Sequence, residues 1–315
     1  MMSLASGQPA TYSPYLRPGD NGPFGPTDSI AVAWRTNEST PNIKAYTVQY
    51  GTTPSYGQTA MVAARVVNNY LAADSSLPTV PTASGPRSNY TAVLTGLNYD
   101  TTYYYSVTGP GISSAASFRS RTKSGQLSFL VEGDEGFFPA EPGSPPTMAN
   151  YEGRIAHLMY NVKNISLPGQ APLPSASFAL NTGDNVYNEG SEGSYRDFWL
   201  PVWNSDTDSV NKGAPFVRSI PYYIVAGNHD IGGAGDHVNM LATGGAGKYT
   251  GSTEGGDALS YYNDFYFPAQ RTDRFRSGQR FRRRRVLAHR LLVPVQRQIL
   301  QLRRRDSRLS QFHRR

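Results

Sequence analysis

Three short runs in this chain end in residues able to do chemistry. Leu127-Ser-Phe-Leu-Val-Glu-Gly133-Asp134-Glu-Gly136 is an apolar run that stops in Gly-Asp-X-Gly. The same grammar returns in Ser177-Phe-Ala-Leu-Asn-Thr-Gly183-Asp184-Asn-Val-Tyr187, and again in Tyr222-Tyr-Ile-Val-Ala-Gly227-Asn228-His229-Asp230. Each time a few apolar residues deliver a glycine and then an oxygen-bearing side chain, which is how a buried sheet presents groups at the carboxyl ends of its strands. Glycine ahead of the ligand lets backbone come close to a site. Two carboxylates, an amide oxygen, a phenol and an imidazole together suit hard di- or trivalent metal ions better than soft ones. Gly-Asp and Gly-Asn are also common turn dipeptides, so one motif alone reads as a turn. Three in order, each after an apolar run, read as a site.

The elements that must position these groups are legible on either side. Ile155, Leu158, Met159 and Val162 fall at i, i+3, i+4 and i+7, which predicts an amphipathic helix covering the sheet between the first and second motifs. Strand, helix, strand implies an α/β layer. Upstream, from about Thr27 to Thr122, β-branched and aromatic runs are broken by Gly, Pro, Asn and Asp. Ile30, Val32 and Trp34 alternate onto one strand face, Tyr46, Val48 and Tyr50 repeat the period, and Tyr103, Tyr105 and Val107 do so again. The turn at Leu97-Asn-Tyr-Asp-Thr-Thr-Tyr103 resembles the tyrosine corner of a fibronectin type III-like sandwich, in which a buried ring bonds back to backbone through its hydroxyl. Residues 51–90, rich in Ala, Ser, Thr and Pro, read as a long irregular excursion between strands.

The 315 residues contain no cysteine, which excludes a disulfide scaffold, Cys-ligated metal sites and a thiol nucleophile. The net charge of +7 is misleading until divided. Residues 271–315 hold 16 of the 30 basic residues, all Arg, and two acids, so the tail carries +14 and residues 1–270 carry −7. The apparent basicity therefore says nothing about what the acidic body binds. No apolar run approaches the 18 or so residues of a membrane span, and the N-terminus as written shows no basic and apolar export signal.

The series Gly-Asp-X-Gly, Gly-Asp-X-X-Tyr and Gly-Asn-His-Asp resembles three of the five signature blocks of the purple acid phosphatases, within the calcineurin-like metallophosphoesterases. Tyr187, three residues after Asp184, separates the purple enzymes from the wider superfamily. Tyr12-Ser-Pro-Tyr-Leu16 followed by Ser29-Ile-Ala-Val-Ala-Trp34 is similar to the usual opening of that family's fibronectin-like domain. The resemblance implies a flexible 1–11, a fibronectin type III-like sandwich over 12–124, and part of an α/β metallophosphoesterase domain over 125–270, a mixed β-sandwich flanked by helices.

It also implies a dinuclear centre of ferric iron and a divalent partner, zinc, manganese or ferrous iron. Asp134 would ligate the iron, Asp184 would bridge, Tyr187 would bind iron as phenolate and give the purple colour, and Asn228 would hold the divalent ion. His229 would hydrogen-bond the phosphate or protonate the leaving group, making it and Asp184 the catalytic candidates. The implied activity is acid phosphatase: hydrolysis of small phosphate monoesters by a metal-bound hydroxide, between cations about 3.5 Å apart. Secretion or a periplasmic location goes with the family. Asn37, Asn89 and Asn164 sit in glycosylation sequons that would matter in a eukaryotic secretory host.

Other residues carry weaker readings. His157 and His237 read as packed or solvated histidines, Glu132 and Glu135 as solvated charges beside the metal loop. The Gly-rich stretches 232–237 and 244–256 read as loops that could wall a pocket. The family's Val-X-X-His and Gly-His-X-His blocks, which supply imidazole ligands, lack a counterpart. Val286-Leu-Ala-His289 matches the former only among arginines, and no Gly-His-X-His occurs. Arg without Lys from about residue 271 is the text of a shifted frame in GC-rich DNA, so the expectation is a chain missing the C-terminal half of its catalytic domain and poorly active. The alternatives are a metallophosphodiesterase, or a binding protein whose Arg-rich tail takes nucleic acid by counterion release.

Overall fold

The computed structural model describes residues 10–19, 24–68, 70, 84–125, 127–135, 147–164, 168–169, 175–187, 190–227, 229–230 and 259–267. Residues 71–83, Asn228, the stretches 232–237 and 244–256 and the Arg-rich tail lie outside them. Residues 1–20 and 26–268 fall in one compact unit.

Eight antiparallel strands form two four-stranded sheets. One has the order β1 (Ala10–Pro18), β2 (Asp28–Thr36), β6 (Arg87–Leu97), β5 (Val62–Val67). The other runs β4 (Gln58–Ala60), β3 (Thr47–Gly51), β7 (Thr102–Gly109), β8 (Ile112–Arg119). Between the sheets, Ile30, Val32, Trp34, Val48, Tyr90, Leu94, Tyr105 and Val107 are buried in one core. Period-2 alternation delivers them from both sides. Trp34 pairs with Tyr90 across the strands and stacks on its ring at 5.4 Å. The tyrosine corner forms: the Asn98 amide donates to the Tyr103 hydroxyl at 2.9 Å.

The excursion expected over 51–90 is corrected by the structure. Residues 58–67 form two strands, β4 and β5, which pair with different sheets, and the chain crosses from one to the other at Met61, 91% exposed. Both lie at sheet edges, where only alternate or fewer side chains are buried, so their sequence carries little apolar pattern.

A third sheet is parallel, in the order β11 (Tyr222–Tyr223), β10 (Phe178–Asn181), β9 (Phe129–Glu132). Helix α1 (Thr147–Tyr160) connects β9 to β10, giving the β-α-β order read from the sequence. The face it buries differs from the one expected. Ile155 and Leu158 are 47% and 48% exposed, whereas Glu152 and Ala156 are buried, with Met159 and Tyr160 against the same core. A Cβ on Gly153 would come within 3.2 to 3.3 Å of backbone at 211–213, and the Trp203 indole donates to Glu152 at 2.8 Å. Small residues on the packed face permit that close approach, and the larger aliphatics are turned outward.

Between β10 and β11 the chain forms α2 (Glu192–Ser194), a wide π turn (Tyr195–Trp199), α3 (Leu200–Trp203) and α4 (Phe216–Ser219); α5 (Leu259–Asp264) follows β11. The parallel sheet and these helices share a core with Tyr12, Tyr15 and Ala33 of the first sheet. Polar ties reinforce it: Arg17 donates to the carbonyls of Tyr222 and Tyr266, each at 3.1 Å, and Asn204 to those of Ser13 and Pro14. Among the described residues no helix is long and apolar enough to cross a membrane. Asn89 is buried with its amide donating to the Asn263 carbonyl at 2.7 Å, so that sequon is closed to a glycan in the folded chain.

Candidate metal centre at the strand ends

The three motifs meet because their strands are parallel neighbours. Beyond the last strand residues the ladder continues: Thr182 donates to the Glu132 carbonyl at 2.9 Å, Asp134 to Gly183 at 3.1 Å, and Glu135 to Asp184 at 3.1 Å. Both aspartates are in the left-handed backbone region, with φ of 53° at Asp134 and 54° at Asp184. Aspartate adopts it more readily than most non-glycine residues, and here it turns the chain at matching places on neighbouring strand ends, as it also does at Asp100 in a sandwich turn. Packing between loops two and three leaves no room for side chains on the glycines: a Cβ on Gly227 would lie 2.1 Å from Asp184 Oδ1, and one on Gly183 2.7 Å from the Gly227 Cα.

The structure thus brings Asp134, Asp184, Tyr187 and His229 together. Tyr187 donates its hydroxyl to Asp134 Oδ1 at 3.4 Å, and its ring lies 4.3 Å from the His229 ring, edge to face. The His229 amide donates to Asp184 Oδ1 at 2.9 Å, which aims that carboxylate. Burial, and then the charges of Asp184 and Asp134, push the Tyr187 phenol up to about 12. A cation held by the same carboxylates would oppose their effect and favour the Tyr187 phenolate. Asn228, the fourth expected ligand, lies outside the described residues.

Asp134 and Asp184 at neighbouring strand ends, with Tyr187 bonded to Asp134, are oxygen donors whose chemistry suits a hard cation. Among the described residues, no three His, Cys, Asp or Glu side chains gather as a metal would need, so the set rests on Tyr187 as its third donor.

Around these loops lies a layer of groups that sequence reading passed over. Asp230 is fully buried and accepts four hydrogen bonds: Asn185 N at 3.1 Å, Asn185 Nδ2 at 2.9 Å and Gly227 N at 2.8 Å on Oδ2, and the Tyr195 hydroxyl on Oδ1. Burial raises its carboxyl to about 6 in spite of these donors. Its signal was the last letter of Gly-Asn-His-Asp, where attention falls on the amide and the imidazole instead.

Glu132 and Glu135 are the other correction. Expected in solvent, their carboxyls are enclosed and share the Tyr222 hydroxyl. Glu135 also accepts from Asn181 at 2.8 Å and Trp199 at 2.9 Å. Burial raises Glu132 to about 7, and burial plus the Glu132 charge raises Glu135 well above the usual carboxylate range. The aromatic side chains of the π turn and β11 close over them, which no local pattern announces. His157, read as packed or solvated, pairs with Asp208 at 2.6 Å near the surface.

A β-sandwich joined to a parallel sheet that presents carboxylates at its strand ends defines the architecture of a two-part α/β protein with an oxygen-donor site. Residues 23–120 match the family model described as purple acid phosphatase, N-terminal domain. Among solved structures, the chain is similar to the purple acid phosphatase PPD1 from yellow lupin (Lupinus luteus) seeds, with a TM-score of 0.51 and 18% sequence identity over 84% of this chain and 41% of that one. At that identity the likeness concerns the fold. A second match, to the vertebrate protein Astrotactin-2, has a TM-score of 0.22 at 16% identity over 50% of this chain and 27% of that one, too low to inform the architecture. A search of curated proteins finds no match. The relationship to purple acid phosphatases read from the motifs is therefore carried by the N-terminal domain and the lupin fold, and the chain spans less than half the length of that relative.

Proposed function

We propose that this chain carries the metal-holding part of a purple acid phosphatase-like phosphomonoester hydrolase. The observation that carries the reading is the convergence at adjacent parallel strand ends of Asp134 and Asp184, both in the left-handed region, with Tyr187 and His229 against them. Asp134, Asp184 and Tyr187 would hold the ferric ion, and Asp184 with Asn228 the divalent partner. When bound, such a pair neutralises a phosphate ester and activates water.

The protein's own groups set the rest. Asp184 is oriented by the His229 amide, which ties the residue that would meet substrate to the one that would meet metal. The His229 ring, edge-on to Tyr187 at 4.3 Å, would hydrogen-bond a phosphoryl oxygen or give a proton to the departing alkoxide. Small phosphate monoesters are the substrate class that two charges and one imidazole suit. An exported location accompanies this reading.

The test is ferric ion uptake with phosphate-ester hydrolysis. The unmodified chain is expected to show the phenolate-to-iron absorption; Tyr187→Phe should lose the colour, and Asp184→Asn should lose binding and hydrolysis, about 100-fold or more. Uptake that is unchanged in both variants would remove this function.

A further inference from the structure

The metal loops are not anchored by their ligands alone. Asn185 immediately follows Asp184, and Gly227 immediately precedes residue 228, and both give their amides to one oxygen of Asp230. A single buried carboxylate therefore ties the second motif to the third at the point where each presents its ligand. Its other oxygen is held by Tyr195, the first residue of the π turn, whose ring packs edge-on against Phe265 at 5.1 Å. Wide turns of this kind recur at functional sites because they place one side chain out of helical register.

The hold extends to the sandwich. Glu192, three residues before Tyr195, is fully buried and receives Arg35 of β2 on one oxygen and Arg196 on the other. The Arg35 guanidinium lies 3.7 Å over the Tyr12 ring. A link of fixed partners thus runs from β2 through Glu192 and Tyr195 to Asp230, and from there to both loops.

We propose that Asp230 is a positioning residue that fixes Asn185, next to Asp184, against Gly227 of the third motif, and that the N-terminal sandwich holds this clamp in place through Arg35, Glu192 and Tyr195. The proposal rests on the metal-centre reading above for its consequence, though not for the clamp itself. Groups behind the ligands that fix their orientation are worth about 10- to 100-fold in metal affinity. Among the described residues, the oxygens of Asp230 are turned to the two loops and Tyr195.

The test uses the full chain with Asp230→Asn, Tyr195→Phe and, as control, Tyr50→Phe, which removes a hydroxyl bonded to the Thr95 carbonyl inside the sandwich. Hydrogen exchange is read at the amides of Asn185 and Gly227, and ferric ion affinity by the phenolate absorption. Both site variants should exchange about 10-fold faster or more at those two amides, with β2 and β6 unchanged. Both should bind ferric ion about 10-fold or more weakly, with Tyr50→Phe like the parent. Unchanged protection at Asn185 and Gly227 in Tyr195→Phe overturns the clamp, as does unchanged affinity in a parent that binds iron. If the parent takes up no iron, the proposed function fails while the exchange result still decides the clamp. Should Asp230→Asn not fold, Tyr195→Phe, which loses one oxygen atom, carries the decision.

Discussion

The sandwich and the strand-end region hold themselves together by different means. Between the two antiparallel sheets, Trp34, Tyr90, Tyr46 and their aliphatic neighbours interlock, with ring centroids 4.6 to 5.6 Å apart. Behind the metal loops polar groups are drawn inside: Asp230, Glu152, Glu192 and Arg35 are buried and Glu135 is half-buried, and each has at least one named donor or acceptor. An apolar core tolerates small shifts and gives stability, whereas a buried polar network fixes positions and fails when one member is lost. The first region is built to persist and the second to aim side chains.

The sharpest way to break that contrast is to damage each region by one side chain. Trp34→Ala should cost about 3–5 kcal/mol, read by denaturant unfolding, because it empties the sandwich core at its largest ring. Arg35→Met should cost about 3 kcal/mol, since Glu192 keeps Arg196 but loses its second cation in a fully buried place. The two variants should differ in kind as well, with Arg35→Met also reporting faster exchange at Asn185 while Trp34→Ala lowers protection throughout.

A pH titration of stability sharpens the comparison further. Burial raises Glu152 from 4.5 to about 8, its neighbours being the Trp203 indole and the carboxyl of Glu135. With the folded value above the unfolded one, the folded state keeps a proton that the unfolded chain has released. The contribution is therefore intact below about pH 4.5 and is lost as pH rises toward about 8, at up to about 1.4 kcal/mol per pH unit. Asp230, Glu132 and Glu135, also raised by burial, add to the slope in this window, so Glu152→Gln should make it shallower in thermal unfolding without removing it, and an unchanged slope would show that Glu152 does not contribute.

The smallest effects test which face of α1 is packed. Ala156→Leu should destabilise by about 1–3 kcal/mol through overpacking, whereas Ile155→Ser and Leu158→Ser should stay within about 0.5 kcal/mol. The reverse order would restore the face that the i, i+3, i+4, i+7 spacing indicates.

That helix shows why part of the fold was legible and part was not. Periodicity reveals an apolar stripe, but packing chose Gly153, Ala156 and Glu152 because backbone and an indole approach closely there. β4 and β5 were missed for a related reason, since edge strands bury too few side chains to print a pattern. In contrast, Ile30, Val32 and Trp34, and the tyrosine corner at Tyr103, stood out because alternation and a turn of fixed chemistry are local properties.

By itself, the sequence determined which chemical groups the chain owns and in what order: Gly-Asp134, Gly-Asp184 with Tyr187, and the His229 block, each closing an apolar run, behind a segment of alternating strands. Motif and period are short-range, so they can be read without coordinates. Only the tertiary structure decided that Asp230 ties two of those loops together, that Glu132 and Glu135 are enclosed by Tyr222 and Trp199, and that Arg35 of the sandwich reaches Glu192. Apart from Gly227 to Asp230, within one loop, those contacts join residues 45 to 157 positions apart. Their partners are chosen by which buried polar groups remain to be satisfied once the sheets have packed.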